Sequence, residues 1–132
     1  MKNLNRIAFL TCIVCVLAVG VAQAGDWQKI GKQTLLFNTD SDVINVKKTD
    51  MACSQIMFKI SKKAINITDV TIVFDDGTDQ KATLNENIRP GFESSVIEIN
   101  GGAKKIVKVE FGYAPTNGQK NGRSFVTLVA TA

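Results

Sequence analysis

Apolar residues recur at every second position along most of this chain. "QIMFKI" at 55 to 60 sets Ile56, Phe58 and Ile60 on one side. "AINI" does the same with Ile65 and Ile67, "VTIVF" with Val70, Ile72 and Phe74, and "KIVKVEFGY" with Val107, Val109, Phe111 and Tyr113. Successive side chains of an extended chain point to opposite faces, so this spacing predicts strands with one buried side. "KQTLLF", "VINVK", "QKATL", "SVIEI" and the closing "SFVTLVAT" extend the series, and "QKATL" alternates Ala82 and Leu84 with Lys81 and Thr83. No window carries the i, i+3, i+4, i+7 spacing of an amphipathic helix.

Turn signals separate these segments: "DDG" at 75 to 77, "RPG" at 89 to 91, "NGG" at 100 to 102 and "PTNGQKNG" at 115 to 122. Pro-Gly suits a type II turn, whose third residue has positive φ. Asn-Gly suits a tight hairpin. Strands at this spacing predict an all-β fold, a single antiparallel β-sandwich of about eight short strands, with a small β-barrel as the alternative. "APTNGQKNGRS", residues 114 to 124, has no large apolar residue and reads as an exposed loop.

The first 24 residues read differently. Lys2 and Arg6 precede an apolar run from 7 to 21, and "AQA" at 22 to 24 offers small residues where signal peptidase requires them. A cleaved secretory signal is expected, with a domain over residues 25 to 132. The alternative, a retained anchor, needs about 20 apolar residues. Cys12 and Cys15 lack the flanking residues of a lipoprotein site and leave with the signal. The remaining part has 14 basic and 12 acidic residues of the chain's 16 and 12. That balance implies no nucleic-acid partner. After signal removal the protein is not expected to be an integral membrane protein. A periplasmic or secreted location follows.

The chemistry of the domain is bounded by what it lacks. No His is present, so imidazole bases, ligands and pH switches are excluded. Cys53 is left without a partner and reads as a small buried apolar residue beside a strand. Glu86, Glu93, Glu98 and Glu110, paired with each other or with an Asp, are the glycosidase candidates, and no pattern in the sequence places any two together. Asp75, Asp76 and Asp79 around Gly77 read as a hairpin turn; a calcium site shared with another loop is the alternative. The adjacent carboxylates and flanking strands do not match a calcium loop, which needs 6–8 converging oxygens. Lysine doublets at Lys47–Lys48, Lys62–Lys63 and Lys104–Lys105, the last followed by Lys108, can attract an anionic envelope component, but lysines also guard sheet edges. Trp27 either stacks on a sugar ring or plugs one end of the sandwich. No catalytic, cofactor or metal residue is assigned.

"DWQKIG", "DSDVINV", "ITDVTIVFDDG", "IRPGFESSVIEINGGAKKIVKVEFGY" and "FVTLVA" together resemble a family of small exported bacterial proteins catalogued as a domain of unknown function. Members carry a basic residue, often Arg, after the Gly pair; Lys104 and Lys105 stand there in this chain. The resemblance implies an exported all-β domain and carries over no activity. The functional expectation is therefore a non-enzymatic binding or accessory module that binds through its loops. An assembly partner pairing through a strand edge and an envelope-directed hydrolase using carboxylates are the alternatives.

Overall fold

The computed structural model describes residues 27–46, 51–116 and 121–132. The expected signal at 1–24, the Lys47–Lys48 doublet and the middle of the loop expected at 114–124 lie outside the described residues. Among those described there are nine strands: β1 (Gln28–Leu36), β2 (Ser41–Asn45), β3 (Ala52–Cys53), β4 (Gln55–Ser61), β5 (Ile65–Phe74), β6 (Asp79–Ile88), β7 (Ile97–Glu98), β8 (Lys104–Pro115) and β9 (Arg123–Thr131).

They form two antiparallel sheets. One has the order β1-β9-β4-β7; the other has the order β2-β8-β5-β6, with β3 also pairing β8. The sheets do not close on one another, so the fold is a sandwich and not a barrel. Their facing sides carry the core. Ile56, Phe58, Ile60, Val126 and Leu128 come from the first sheet, and Ile65, Ile67, Val70, Ile72, Val109 and Phe111 from the second, all buried. The rings of Phe58 and Phe111 meet across the interface with centroids 5.5 Å apart and planes tilted by 51°.

The inward parity expected for Ile56, Phe58 and Ile60, for Ile65 and Ile67, and for Val70, Ile72 and Phe74 is observed. The last two groups are out of phase by one residue, which in sequence suggests two strands. In the structure they are one strand. β5 absorbs the phase change in a bulge: Ile67 faces Tyr113 while Val70 faces Phe111. A bulge places an extra residue on one strand and so re-aims the side chains beyond it. The same device corrects a second expectation. Val107 does not share a face with Val109; it is exposed, and Ile106 is buried instead. The register shifts between Val73 opposite Lys108 and Phe74 opposite Ile106, leaving Val107 as the extra residue.

Two of the expected loops also differ in the structure. "NGG" at 100 to 102 does not close a hairpin; it carries the chain from β7 in one sheet to β8 in the other. Ala114 and Pro115 belong to β8, and Arg123 and Ser124 to β9, so the strands run into the stretch expected to be loop. The "RPG" turn is as expected. Phe92 N donates to Arg89 O at 3.0 Å, and Gly91 has φ +88°.

Asp75, Asp76 and Gly77 link β5 to β6, consecutive strands that pair directly. Gly77 N donates to Phe74 O at 3.2 Å, and Phe74 N donates to Thr78 O at 2.9 Å. Gly77 has φ +88°, a conformation that a side chain with a Cβ adopts only at a cost. The Asp76 carboxylate accepts from Thr78 N at 3.0 Å and from Thr78 Oγ1 at 2.6 Å. Those bonds hold its carboxyl below the usual aspartate range. The side chain thus braces the turn. Asp79 reaches Lys81 at 3.4 Å on the exposed surface.

Gly77→Val is expected to lower stability by about 1–2 kcal/mol, since space is open around the position and only the backbone objects. Asp79→Asn is expected to change it by less than about 0.5 kcal/mol, as an exposed ion pair contributes little. Thermal melts of both variants, with calcium and with chelator, check the order. A loss in Asp79→Asn that exceeds the loss in Gly77→Val contradicts the turn account.

Cys53 is buried, pairs opposite Lys104, and has its thiol pushed up by burial. A bulky thiol reagent is therefore expected to label the native protein about a hundredfold more slowly than the urea-unfolded chain, since it must wait for β3 to open. Equal labelling rates refute this.

Candidate functional site

The side of each sheet that turns away from the core is what a strand protein offers to a partner. On the four-stranded sheet the register defines that side. Lys32, Thr127 and Lys59 form one row across β1, β9 and β4. Thr34, Phe125 and Ser61 form the next, and Lys29, Val129 and Met57 another. The rows between them, including Val126 with Ile60 and Leu128 with Phe58, face the core. Neighbouring strands lie about 4.8 Å apart, so Lys32 and Lys59 flank Thr127 at about 10 Å from each other at their backbones.

Arg123 lies two residues before Phe125 on β9 and shares its face, opposite the exposed Leu36. Lys62 Nζ stands 5.7 Å from the centre of the Phe125 ring, a cation–π contact at the end of β4. Among the described residues this face therefore bears Lys29, Lys32, Lys59, Lys62 and Arg123. Its carboxylates lie toward the β7 margin. Glu93 reaches Lys59 at 3.9 Å, and Glu98 accepts from Gln55 Nε2 at 2.6 Å. That margin is closed by chain. Gly91 N donates to Ile60 O at 2.7 Å, Ile60 N to Phe92 O at 3.1 Å, and Ser94 N to Phe58 O at 2.8 Å.

Two adjacent recesses mark this face. One, of about 530 Å³, is lined by Trp27, Lys29, Lys59, Ser61, Thr127 and the backbone about Gly91. The other, of about 290 Å³, is lined by Lys32, Thr34, Phe125 and the same Thr127. Trp27 is half-buried here and is not part of the core, so it does not plug the end of the sandwich.

The outer face of the five-stranded sheet is of mixed sign: Lys81, Thr71 and Glu110 share one row, and Lys108 lies outward beside them. A shallow recess of about 740 Å³ is lined by Asp40, Asp42, Asp69 and Glu110, with Thr68 and Thr71. Each of three carboxylates is already engaged. Asp42 accepts from Gln33 Nε2 at 3.3 Å and from Val43 N at 2.8 Å; Asp69 accepts from Thr68 Oγ1 at 2.9 Å; Glu110 pairs with Lys108 at 3.1 Å.

The four glutamates singled out in the sequence are not brought together with one another; Glu110 lies beside aspartates, in the recess with Asp40, Asp42 and Asp69. Glu86 on β6 accepts from Ser95 N at 2.9 Å and from the Ser95 hydroxyl, pinning the 89–96 loop. Glu93 and Glu98 lie at the β4 margin, and Glu110 lies on the other sheet. The lysine doublets also divide. Lys62 joins the basic face, while Lys104 and Lys105 lie opposite β3, with Lys104 Nζ 4.9 Å from the Phe74 ring centre. The doublets are conspicuous because they are adjacent in sequence. The basic face is built mainly from single residues, Lys29, Lys32, Lys59 and Arg123, on three strands. One signal was available: Lys59 sits on the outward parity of the strand that buries Ile56, Phe58 and Ile60. Lys29 and Lys32 are three apart, and a bulge between Lys29 and Gly31 brings them to the same side.

Comparison with known proteins is consistent with this architecture. The family described as "Domain of unknown function (DUF2541)" matches residues 8–130, and the chain belongs to that family. No curated protein matches. Among solved structures, AlgX of Pseudomonas aeruginosa is similar over 80% of this chain and 26% of its own, with 10% identity and a TM-score of 0.55. The chain thus spans about a quarter of the AlgX chain, and the likeness is one of fold. A protein in the structure of infectious bursal disease virus, Gx strain, aligns over 80% of this chain and 32% of its own, at 10% identity and a TM-score of 0.37. The SPBc2 prophage-derived protein YomS aligns over 76% and 93%, at 15% identity and a TM-score of 0.35.

Proposed function

We propose that this member of the DUF2541 family is a non-enzymatic binding module, exported to the bacterial periplasm or beyond, which holds an anionic component of the cell envelope on the outer face of its four-stranded sheet. The observation that carries the reading is the position of Lys59. Lysines on β1, an edge strand, have a sufficient reason to be there, since charge on an edge deters pairing with another chain. Lys59 is paired with Thr127 on one side and bridged to Glu93 on the other, so edge protection does not account for it; Arg123, at the start of β9, lies beyond that strand's pairing with β4. Together with Lys29, Lys32 and Lys62 they set one sign of charge over a surface shared with Trp27 and Phe125. Such a surface attracts a polyanion, and each contact stays partly solvated, so little desolvation opposes it.

Export is supported by the basic, apolar and Ala-Gln-Ala order of residues 2 to 24. The readings by strand edge and by catalysis have less support. The open edges carry charge: Lys29 and Lys32 on β1, and Asp79, Lys81 and Glu86 on β6. Of the carboxylates that an envelope hydrolase would use, Glu110 shares a recess with Asp40, Asp42 and Asp69, but Asp42, Asp69 and Glu110 are each already held by a neighbouring group. The loops, expected to carry binding, mostly pass from one sheet to the other.

The test is binding of polygalacturonate and polyphosphate against neutral dextran. At low salt the polyanions are expected to bind and the dextran not. Affinity is expected to fall as salt shortens the Debye length. Lys59→Glu and Lys32→Glu are each expected to weaken binding by about tenfold, whereas Lys81→Glu, the same charge change on the other sheet, is expected to leave it unchanged. Equal binding of dextran, or equal losses from all three variants, refutes the site. Mass spectrometry of the exported protein is expected to find its first residue at Gly25; a retained Met1 refutes the export step.

A further inference from the structure

The two recesses on the basic face share a wall. Both are lined by Thr127, and each is built to the same plan: an aromatic side chain, a hydroxyl and cationic side chains. Trp27 with Lys29 and Lys59 makes the first. Phe125 with Lys32, and Lys62 over the ring, makes the second. The trough follows β9 from Val129 to Phe125, four residues of strand, or about 13 Å at about 3.3 Å per residue. That is too long for one small anion. From this geometry we infer that the ligand is a linear acidic polysaccharide, laid along β9, whose sugar rings occupy the two recesses in turn and whose carboxylates meet lysines in each. The inference rests on the binding reading above and specifies its ligand.

The chemistry separates a glycan from other polyanions. A polyphosphate has charge but no apolar ring face, and gains nothing from an indole. A sugar ring offers axial C–H groups to an aromatic surface and hydroxyls to the Ser61, Thr34 and Thr127 side chains that line the trough. A lipid surface is a poorer match. Its recognition calls for clustered apolar side chains that protrude; here Leu36 and Phe125 are partly exposed, Phe125 with Lys62 over its ring, and Trp27 is half-buried in a concavity. The exposed Phe92 and Val96 lie on the 89–96 loop at the margin. Lys62 already stands over Phe125, so the second recess grips mainly by charge and the first by stacking as well.

Trp27 is the chain's one tryptophan, and its fluorescence therefore reports the first recess directly. The experiment titrates the mature protein with tri- and hexagalacturonate, neutral maltohexaose, polyphosphate and phosphatidylglycerol vesicles, reading tryptophan emission and calorimetric affinity. The hexamer is expected to bind at least about tenfold tighter than the trimer and to shift the emission. Trp27→Ala is expected to weaken the hexamer by about tenfold and to leave polyphosphate affinity unchanged. Circular dichroism confirms that the variant is folded. As a second variant, Lys62→Glu is expected to erase most of the advantage of hexamer over trimer while the Trp27 signal remains. Polyanion binding with no dependence on length, no emission change, or tighter binding to vesicles than to the hexamer overturns the inference and leaves the binding reading standing. Failure of every polyanion overturns both.

Discussion

The two-residue period of the pleat governs this molecule. No disulfide supports it among the described residues, and the one cysteine there is a free, buried thiol. The sandwich is held by isoleucine, valine, leucine and phenylalanine side chains that interleave between two sheets. Burial of such side chains yields about 1.5–3 kcal/mol each, and it is realised only if they all point the same way. A slip of one residue would turn a whole row outward. Where the apolar parity of the sequence breaks, the backbone bulges in compensation. Ile67 and Val70 are both buried because residues 68 and 69 take up the phase between them, and Ile106 is buried because Val107 is extruded. The outer faces are what remains after this condition is met.

That order of priority explains what was legible in the sequence. Inward residues read off directly wherever the alternation ran unbroken, as for Ile56, Phe58 and Ile60. The Gly77 and Gly91 turns were legible because positive φ and a Pro-Gly pair are local facts. Val107 was misplaced because a bulge depends on the partner strand, and nothing in "KIVKVEFGY" alone reveals that Phe74 pairs with Ile106. The Asn-Gly pair at 100 to 101 has turn chemistry that fits a hairpin, but whether a turn returns to its own sheet or crosses to the other is a matter of topology.

The candidate site was less legible than the fold. Its cations come from β1, β4, β9 and the end of β4, separated by up to 94 positions between Lys29 and Arg123. Their common face exists only once β9 lies between β1 and β4. Adjacent lysines are conspicuous in a sequence, yet neighbours on a strand point to opposite sides, so a doublet is a poor way to charge one face. Single lysines at outward parity on different strands do so efficiently. Trp27 illustrates the same limit: a tryptophan near the start of a β domain suits a core plug or a surface platform equally well, until the strand that follows it is placed.

Topology also decides what kind of surface a ligand would meet. β5 and β6 are joined by a tight hairpin, whereas most other connections pass between the sheets, so the loops serve chiefly to close the sandwich. Tyr113 shows how closely they are tied down: its hydroxyl donates to Leu36 O at 2.7 Å and lies 2.8 Å from Thr39 Oγ1, fixing the β1–β2 crossing. The 89–96 loop is stitched along β4 through Ile60 and Phe58. A site on the face of β1, β9 and β4 therefore stands on backbone of which β9 and β4 are hydrogen-bonded from both sides and β1 from one. Such a surface loses little backbone freedom when a ligand arrives, and the cost of association falls mainly on the lysine side chains. Ligand contacts that repeat along a strand then add without new ordering of the chain, which is the condition under which a repetitive polymer gains affinity with length.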